Sequence, residues 1–230
     1  MRTYNWFLCL LLVLSTSYLS AVEVIFTDTN GNPLNTTTNK LDLGYSPTAK
    51  TVQLWLTYND TERTTINNAG GLYAGGGILT PQFANIANVF PGPSAPVTNP
   101  GNKWSTITTN FNSQSNPTIL GATFTQGAGQ SGLALPPTVS GSGRFLLLEY
   151  LISPGANISS SGTDFTYQIN TNYAVYSYGT SSGVTPFNPQ PNGYTFTVVP
   201  EPTTYVLGAV ASGMLGGVGY YRRKKLAKKA

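Results

Sequence analysis

Between residues 22 and 198 the apolar residues of this chain return at every second position, in short runs separated by Gly, Pro and Asn. In Val52-Gln53-Leu54-Trp55-Leu56-Thr57-Tyr58 one face carries Val52, Leu54, Leu56 and Tyr58. Phe165, Tyr167 and Ile169 share a face, as do Tyr194, Phe196 and Val198. Such alternation marks half-buried strands, because successive strand side chains point to opposite faces. The run from Phe145 to Ile152 is apolar except for Glu149 and suits a central strand covered on both faces. Further strands are expected at 22–27, 71–79, 104–109, 119–125 and 173–178. Turn signals lie at Asn30-Gly31, Gly75-Gly76-Gly77, Pro91-Gly92-Pro93, Pro136-Pro137, Pro154-Gly155 and Asn192-Gly193. Segment 90–103, with four prolines, and segment 186–191 read as loops. No stretch sustains a helical apolar period. The expectation is a mainly β fold, an antiparallel β-sandwich or jelly roll, in one domain over 22–198.

Charge narrows the function. Charged residues are only 9% of the 230, which disfavours long solvated helices. The net +4 is misleading, because Arg222, Arg223, Lys224, Lys225, Lys228 and Lys229 crowd the last nine positions. Between residues 22 and 199, five basic residues face seven acidic ones, a net of −2. The body therefore has no basic patch for phosphates, which argues against nucleic acid as a partner. The only cysteine is Cys9, and histidine is absent. A body without thiol or imidazole excludes disulfides, the usual zinc sites and Cys or His catalysis. No cofactor or metal is implied.

The two ends carry an address. Residues 1–21 read as a signal peptide: Arg2 supplies the positive start, residues 6–14 an apolar core, and Ser15, Thr16, Ser17, Ser20 and Ala21 a small polar end. Cleavage is expected after Ala21. Toward the other end stands Pro200-Glu201-Pro202. Nineteen uncharged residues follow, 203–221, and then Arg222-Arg223-Lys224-Lys225. As a helix, that stretch reaches about 28 Å, close to the thickness of a bilayer's hydrocarbon core. The prolines cannot sit inside a helix, so they set its start. Tyr205, Tyr220 and Tyr221 lie near its edges, and the basic cluster holds the C-terminus in the cytoplasm. The body then lies outside the inner membrane.

Proline-glutamate-proline, an apolar helix and an Arg/Lys cluster, in that order over residues 198–226, resemble the PEP-CTERM sorting signal, a segment also met in some ice-binding proteins. The resemblance implies recognition of Pro200, Glu201 and Pro202 by exosortase, a membrane transpeptidase that removes the helix. It also implies a place at the cell surface or in an exopolysaccharide matrix. The division expected is 1–21 signal peptide, 22–198 passenger, 199–226 sorting and anchor segment, and 227–230 basic end. A strand at 51–58 followed by Gly71-Leu72-Tyr73-Ala74-Gly75-Gly76-Gly77 is similar to exported sandwiches of the cohesin type, which supports the fold class only.

Several candidate sites compete with plainer readings. Gly179-Thr180-Ser181-Ser182-Gly183 matches G-x-S-x-G, but no histidine exists to take the serine proton, so a Ser/Gly loop is preferred. Gly127-Ala128-Gly129-Gln130-Ser131-Gly132 matches G-x-G-x-x-G, yet Pro136 and Pro137 stop the helix that motif must open. Asp28, Asn30 and Asn32 alternate like calcium ligands, but the spacing of Gly31 and Asn39 fits a hairpin better. Sequons at Asn35, Asn59 and Asn157 are expected by chance in so Asn/Thr-rich a chain. Glu149 is the acid most suggestive of a carboxylate hydrolase; the alternative is a strand-edge carboxylate or a pair with Arg144 or Arg63. Trp55 is the candidate ligand contact, since it falls on the Gln53/Thr57 face where an indole can stack on a sugar; core packing is the alternative. No regularly spaced threonine array is found along the chain. These readings point to a structural or adhesive surface protein without enzymatic activity. A polysaccharide- or ice-binding module is the second reading, and a carboxylate hydrolase the third.

Overall fold

The structure is a computed structural model that describes residues 22–44, 49–82, 97–111, 120–153, 158, 162–169, 176–190 and 193–199. The expected signal peptide, the Pro200-Glu201-Pro202 motif, the apolar stretch and the basic cluster lie outside the described residues. So do Pro91-Gly92-Pro93, Pro154-Gly155 and the sequon at Asn157.

The protein is mainly β, built from two sheets that share one core. The smaller sheet has the order β1 (Glu23–Thr27), β3 (Lys50–Asn59), β8 (Ser142–Ile152) and β5 (Val97–Thr98). The larger contains β11 (Gly183–Phe187), β10 (Tyr176–Thr180), β4 (Leu72–Pro81), β9 (Thr163–Gln168), β12 (Tyr194–Val199) and β2 (Leu41–Asp42). There β7 (Leu120–Thr125) pairs with β4, and β6 (Thr106–Phe111) with β7. Every strand expected from alternation is present, within a few residues of its expected ends. The sheets are antiparallel except that β12 and the short β2 run parallel.

Aromatic rings join the sheets. Phe26 of β1 lies 5.4 Å from Tyr167 of β9 and 5.0 Å from Phe196 of β12, ring centre to ring centre. Trp104, just before β6, sits 4.2 Å from Phe124 and meets Phe145 of β8 edge-on. Val52, Leu54, Leu56 and Tyr58 are all buried, as the period of β3 requires. The apolar run of β8 proves less simple than a strand covered on both faces. Leu54 pairs with Leu148 but Trp55 with Leu146, so Leu147 is an extra residue. This bulge turns the adjacent Leu147 and Leu148 both into the core, while Leu146, Glu149 and Leu151 face outward and are half-buried.

Four expectations need correction. A helix, α1 (Asp60–Asn68), is present where none was expected. It lacks an apolar stripe because Ile66 is its one buried apolar residue, and it is held instead by a capping box: Asn59 Oδ1 accepts from Glu62 N, and Glu62 Oε2 from Asn59 N. Its flank grips an extended segment, Asn67 exchanging two hydrogen bonds with the backbone of Leu135.

Gly75-Gly76-Gly77 is no turn but the middle of β4. At Ala74 that strand pairs with Thr125 of β7 and Ser177 of β10; at Ile78 it pairs with Gly121 of β7 and Gln168 of β9. The glycines therefore mark where β10 gives way to β9, and rings from both strands fill the space a side chain would take. A Cβ on Gly75 would fall 2.6 Å from Phe124 and 2.7 Å from Tyr176, and one on Gly77 would strike Tyr167.

Segment 186–191 begins inside a strand: Pro186 belongs to β11, which it can because β11 is a sheet edge where the missing N–H is not needed. Within 90–103, Val97 and Thr98 form the edge strand β5.

Candidate functional site

Trp55 lies on the outer face of the smaller sheet, half-buried, with its indole N–H donating to Thr27 Oγ1 at 3.0 Å. Its polar atom is thus spent on the neighbouring strand. Glu149, across from Gln53, accepts from Gln53 Nε2 at 2.9 Å and Thr98 Oγ1 at 3.2 Å. Neither arginine expected beside it is so used: Arg144 donates to the carbonyl of Gly31 and Arg63 to that of Leu135. Lys103 donates to Leu146 O at 3.0 Å and lies 4.7 Å above the Phe145 ring. Burial pulls the Lys103 ammonium below its usual range, and the Glu149 carboxylate partly opposes this. With the Trp104 indole on Leu147 O at 2.8 Å, the carbonyls displaced by the bulge are both satisfied. This face is a braced surface whose polar groups serve the fold.

Four further acids also do local work. Asp28 Oδ1 accepts from the backbone N–H groups of Asn30 and Asn32, closing the Asn30-Gly31 turn, and Oδ2 accepts from the Asn32 amide. Slight burial raises its pKa, but these hydrogen bonds outweigh that, and the net shift is downward. Asp42 caps Gly44 N, Asp60 takes the Thr138 hydroxyl, and Asp164 takes that of Thr197. Among the described residues no group of three or more His, Cys, Asp or Glu is placed to hold a metal.

The two glycine motifs meet in one place. Gly179-Thr180-Ser181-Ser182-Gly183 forms the two-residue turn of the β10–β11 hairpin, with Thr180 opposite Gly183. Gly127 and Gln130 close a turn before Gly132. Gly132 N then donates to Gly179 O, and Gly179 N to Gly71 O. A Cβ on Gly132 would strike the Gly71 carbonyl, so three backbones cross where no side chain fits. One glycine of each motif, Gly132 and Gly179, serves this close packing, whereas a Cβ on Gly129 or Gly183 would meet nothing within 4 Å.

A face that could not be read along the chain is assembled on the outside of the larger sheet. Pairing sets Thr106 opposite Thr125 and Thr108 opposite Thr123, a square of four hydroxyl side chains on β6 and β7. Toward the other end, Thr80 on β4 neighbours Thr166 on β9, which neighbours Thr195 on β12. The hydroxyls of Thr166 and Thr195 lie 3.1 Å apart. Thr106 and Thr108 are exposed and the others half-buried, with Phe124, Phe165 and Phe196 pointing the opposite way into the core. Gly76, Ile78 and Gln168 lie between the two groups of threonines. Asp164 on β9 and the exposed Asp42 on β2 lie at its edge.

Comparison of the chain with family models, with curated proteins and with solved structures finds no match in any of the three. The functional reading therefore rests on the residues themselves. No helix among the described residues is long and apolar enough to cross a membrane; the candidate span, 203–221, lies outside them.

Proposed function

We propose that this chain is an exported cell-surface or exopolysaccharide-matrix protein, structural or adhesive rather than enzymatic. Its passenger is a two-sheet β-sandwich, anchored in the inner membrane by its C-terminal helix and sorted by an exosortase-type transpeptidase acting at Pro200-Glu201-Pro202. The observation that carries this is the order of parts: a β domain whose last strand ends at Val199, then Pro-Glu-Pro, nineteen uncharged residues, and Arg222-Arg223-Lys224-Lys225. The first strand opens at Glu23, two residues beyond the expected signal-peptide cut. Occupation of six of the body's seven acids in turns, caps and cross-strand bonds weighs against a carboxylate hydrolase.

Intact mass and fractionation of the native protein from its own host test this. Loss of both the first ~21 residues and the segment after the Pro-Glu-Pro motif, with product in matrix or medium, is the expected result. A full-length C-terminus in the inner membrane would remove the transpeptidase from the account.

The threonine face favours a second reading, a polysaccharide- or ice-binding module. Rows of hydroxyls on a nearly uncharged sheet suit a neutral, hydroxylated ligand better than an acidic one. On this reading the contact surface is the threonine face and not Trp55, whose indole N–H is already bonded to Thr27. Retention of the protein on insoluble neutral glycans is the test.

A further inference from the structure

The end of the passenger bears on how the tail is removed; this inference rests on the proposal that the tail is cut at the Pro-Glu-Pro motif. Residues 34–43 lie alongside the C-terminal half of β12, and the Tyr194 side chain reaches back to the start of the strip. Tyr194 Oη donates to Leu34 O, Thr197 N donates to Asn35 O at 3.2 Å, and Val198 and Val199 pair in parallel with Leu41 and Asp42. Leu43 N reaches Val199 O at 3.4 Å. On its other side, β12 pairs with β9 as far as Val198, opposite Thr163. Leu34, Leu43 and Val198 are at most 1% exposed, so both ends of the strip are anchored in the core, with the exposed Thr36, Thr37 and Thr38 between them.

Pairing therefore runs to Val199, and the next residue is Pro200, which has no N–H with which to continue the ladder. Three residues separate Val199 from the apolar stretch that starts at Thr203. Fully extended they span only about 10 Å. An enzyme that reads an extended peptide needs free backbone donors and acceptors on both sides of the bond it cuts. Immediately upstream of the motif those groups are already spent on β2 and β9, and immediately downstream the chain is expected to enter the membrane.

We propose that the strip 34–43 is a clasp that regulates removal of the tail: the transpeptidase engages the motif productively only when Val198 and Val199 have come away from Leu41 and Asp42. A passenger with its clasp closed is held as a membrane-anchored form close against the bilayer, and opening of the clasp sets the rate of release.

Pulse-chase of the full-length protein in its native host reads the rate of tail loss directly. Six Gly/Ser residues inserted between Val199 and Pro200 leave fold and motif untouched while moving the motif clear of the sheet. Tail removal several-fold faster than in the wild type is expected. Leu41→Ser, which weakens the clasp from its other strand, is expected to accelerate it in the same direction with the native spacing kept. Equal rates for wild type and both variants would overturn the clasp while leaving sorting intact. A wild-type tail that is never removed would instead overturn the sorting proposal, and the clasp with it.

Discussion

The smaller sheet fills its half of the core with a large side chain at nearly every inward position, whereas the larger sheet runs bare backbone, Gly75-Gly76-Gly77, beneath rings from its neighbours. In β3, Val52, Leu54, Leu56 and Tyr58 supply the volume themselves. In β4 the volume over the glycines comes from Phe124, Tyr167 and Tyr176 on β7, β9 and β10. The outer faces differ as well. The smaller sheet spends Trp55, Glu149 and Lys103 on internal bonds, while the larger presents paired threonines. One sheet is stabilised strand by strand; the other depends on its strands being in correct register with one another.

Opposite changes of volume break this contrast with the largest effect. Leu54→Ala removes atoms from a filled site and is expected to cost about 3 kcal/mol, by transfer and cavity terms. Gly75→Ala adds one carbon and is expected to cost about 2 kcal/mol by overpacking. Only the second is relieved by trimming a neighbour: with Phe124→Leu, which makes room beside Gly75, the two costs are less than additive. Urea midpoints of the single and double variants decide it, and strict additivity would mean that the rings over β4 are not what excludes a side chain there.

The tyrosines divide along the same line. Tyr167 and Tyr176, on the larger sheet, share a hydrogen bond at 3.0 Å, but the buried hydroxyl of Tyr150, on the smaller, has no hydrogen-bond partner among the described residues. Tyr167→Phe leaves Tyr176 unpaired in the core and is expected to cost about 1–2 kcal/mol. Tyr150→Phe removes an unsatisfied group and is expected to leave stability unchanged or raise it by about 1 kcal/mol. A large loss for Tyr150→Phe would show that its hydroxyl is bonded in solution.

Alkaline pH extends the comparison. Burial, first of all, drives the pKa of Tyr150, Tyr167 and Tyr176 above 10. In the unfolded chain they ionise near pH 10. The unfolded state then sheds protons that the folded state keeps, so stability is intact below pH 10 and falls as pH rises beyond it. Each such group adds about 1.4 kcal/mol of loss per pH unit until its folded pKa is reached. Unfolding by circular dichroism, with tyrosinate absorbance appearing in the same transition, is the expected observation. Tyr150→Phe makes the decline shallower by one group.

How much of this was legible in the sequence follows from where each signal is stored. The strands could be read because alternation is local: Val52, Leu54 and Leu56 announce themselves within five residues. Helix α1 also left a local trace, Asn59 followed three residues later by Glu62, but its single buried apolar residue, Ile66, gives no period to find. Gly75-Gly76-Gly77 misleads because the rings that complete it lie on three other strands. Pro186 and Phe187 look like a loop because an exposed edge strand needs neither alternation nor a full set of N–H donors. The threonine face is the extreme case. Thr108 and Thr123 become neighbours only through pairing of β6 with β7, and Thr80, Thr166 and Thr195 only through three strands far apart in the chain.

The smallest effect on stability falls on that face and separates it from Trp55. Thr108→Val with Thr123→Val keeps β-branched side chains opposite each other and removes two hydroxyls that point away from the core. A change within about 0.5 kcal/mol is expected, as for most surface positions. If the threonine rows are the contact surface, the double variant loses retention on neutral glycans, while Trp55→Phe keeps it despite losing the bond to Thr27. The reverse pattern would assign contact to the braced face of the smaller sheet. That would mean the indole ring, and not the hydroxyl rows, meets the ligand, because only the ring face of Trp55 is left to offer once its N–H is bonded to β1.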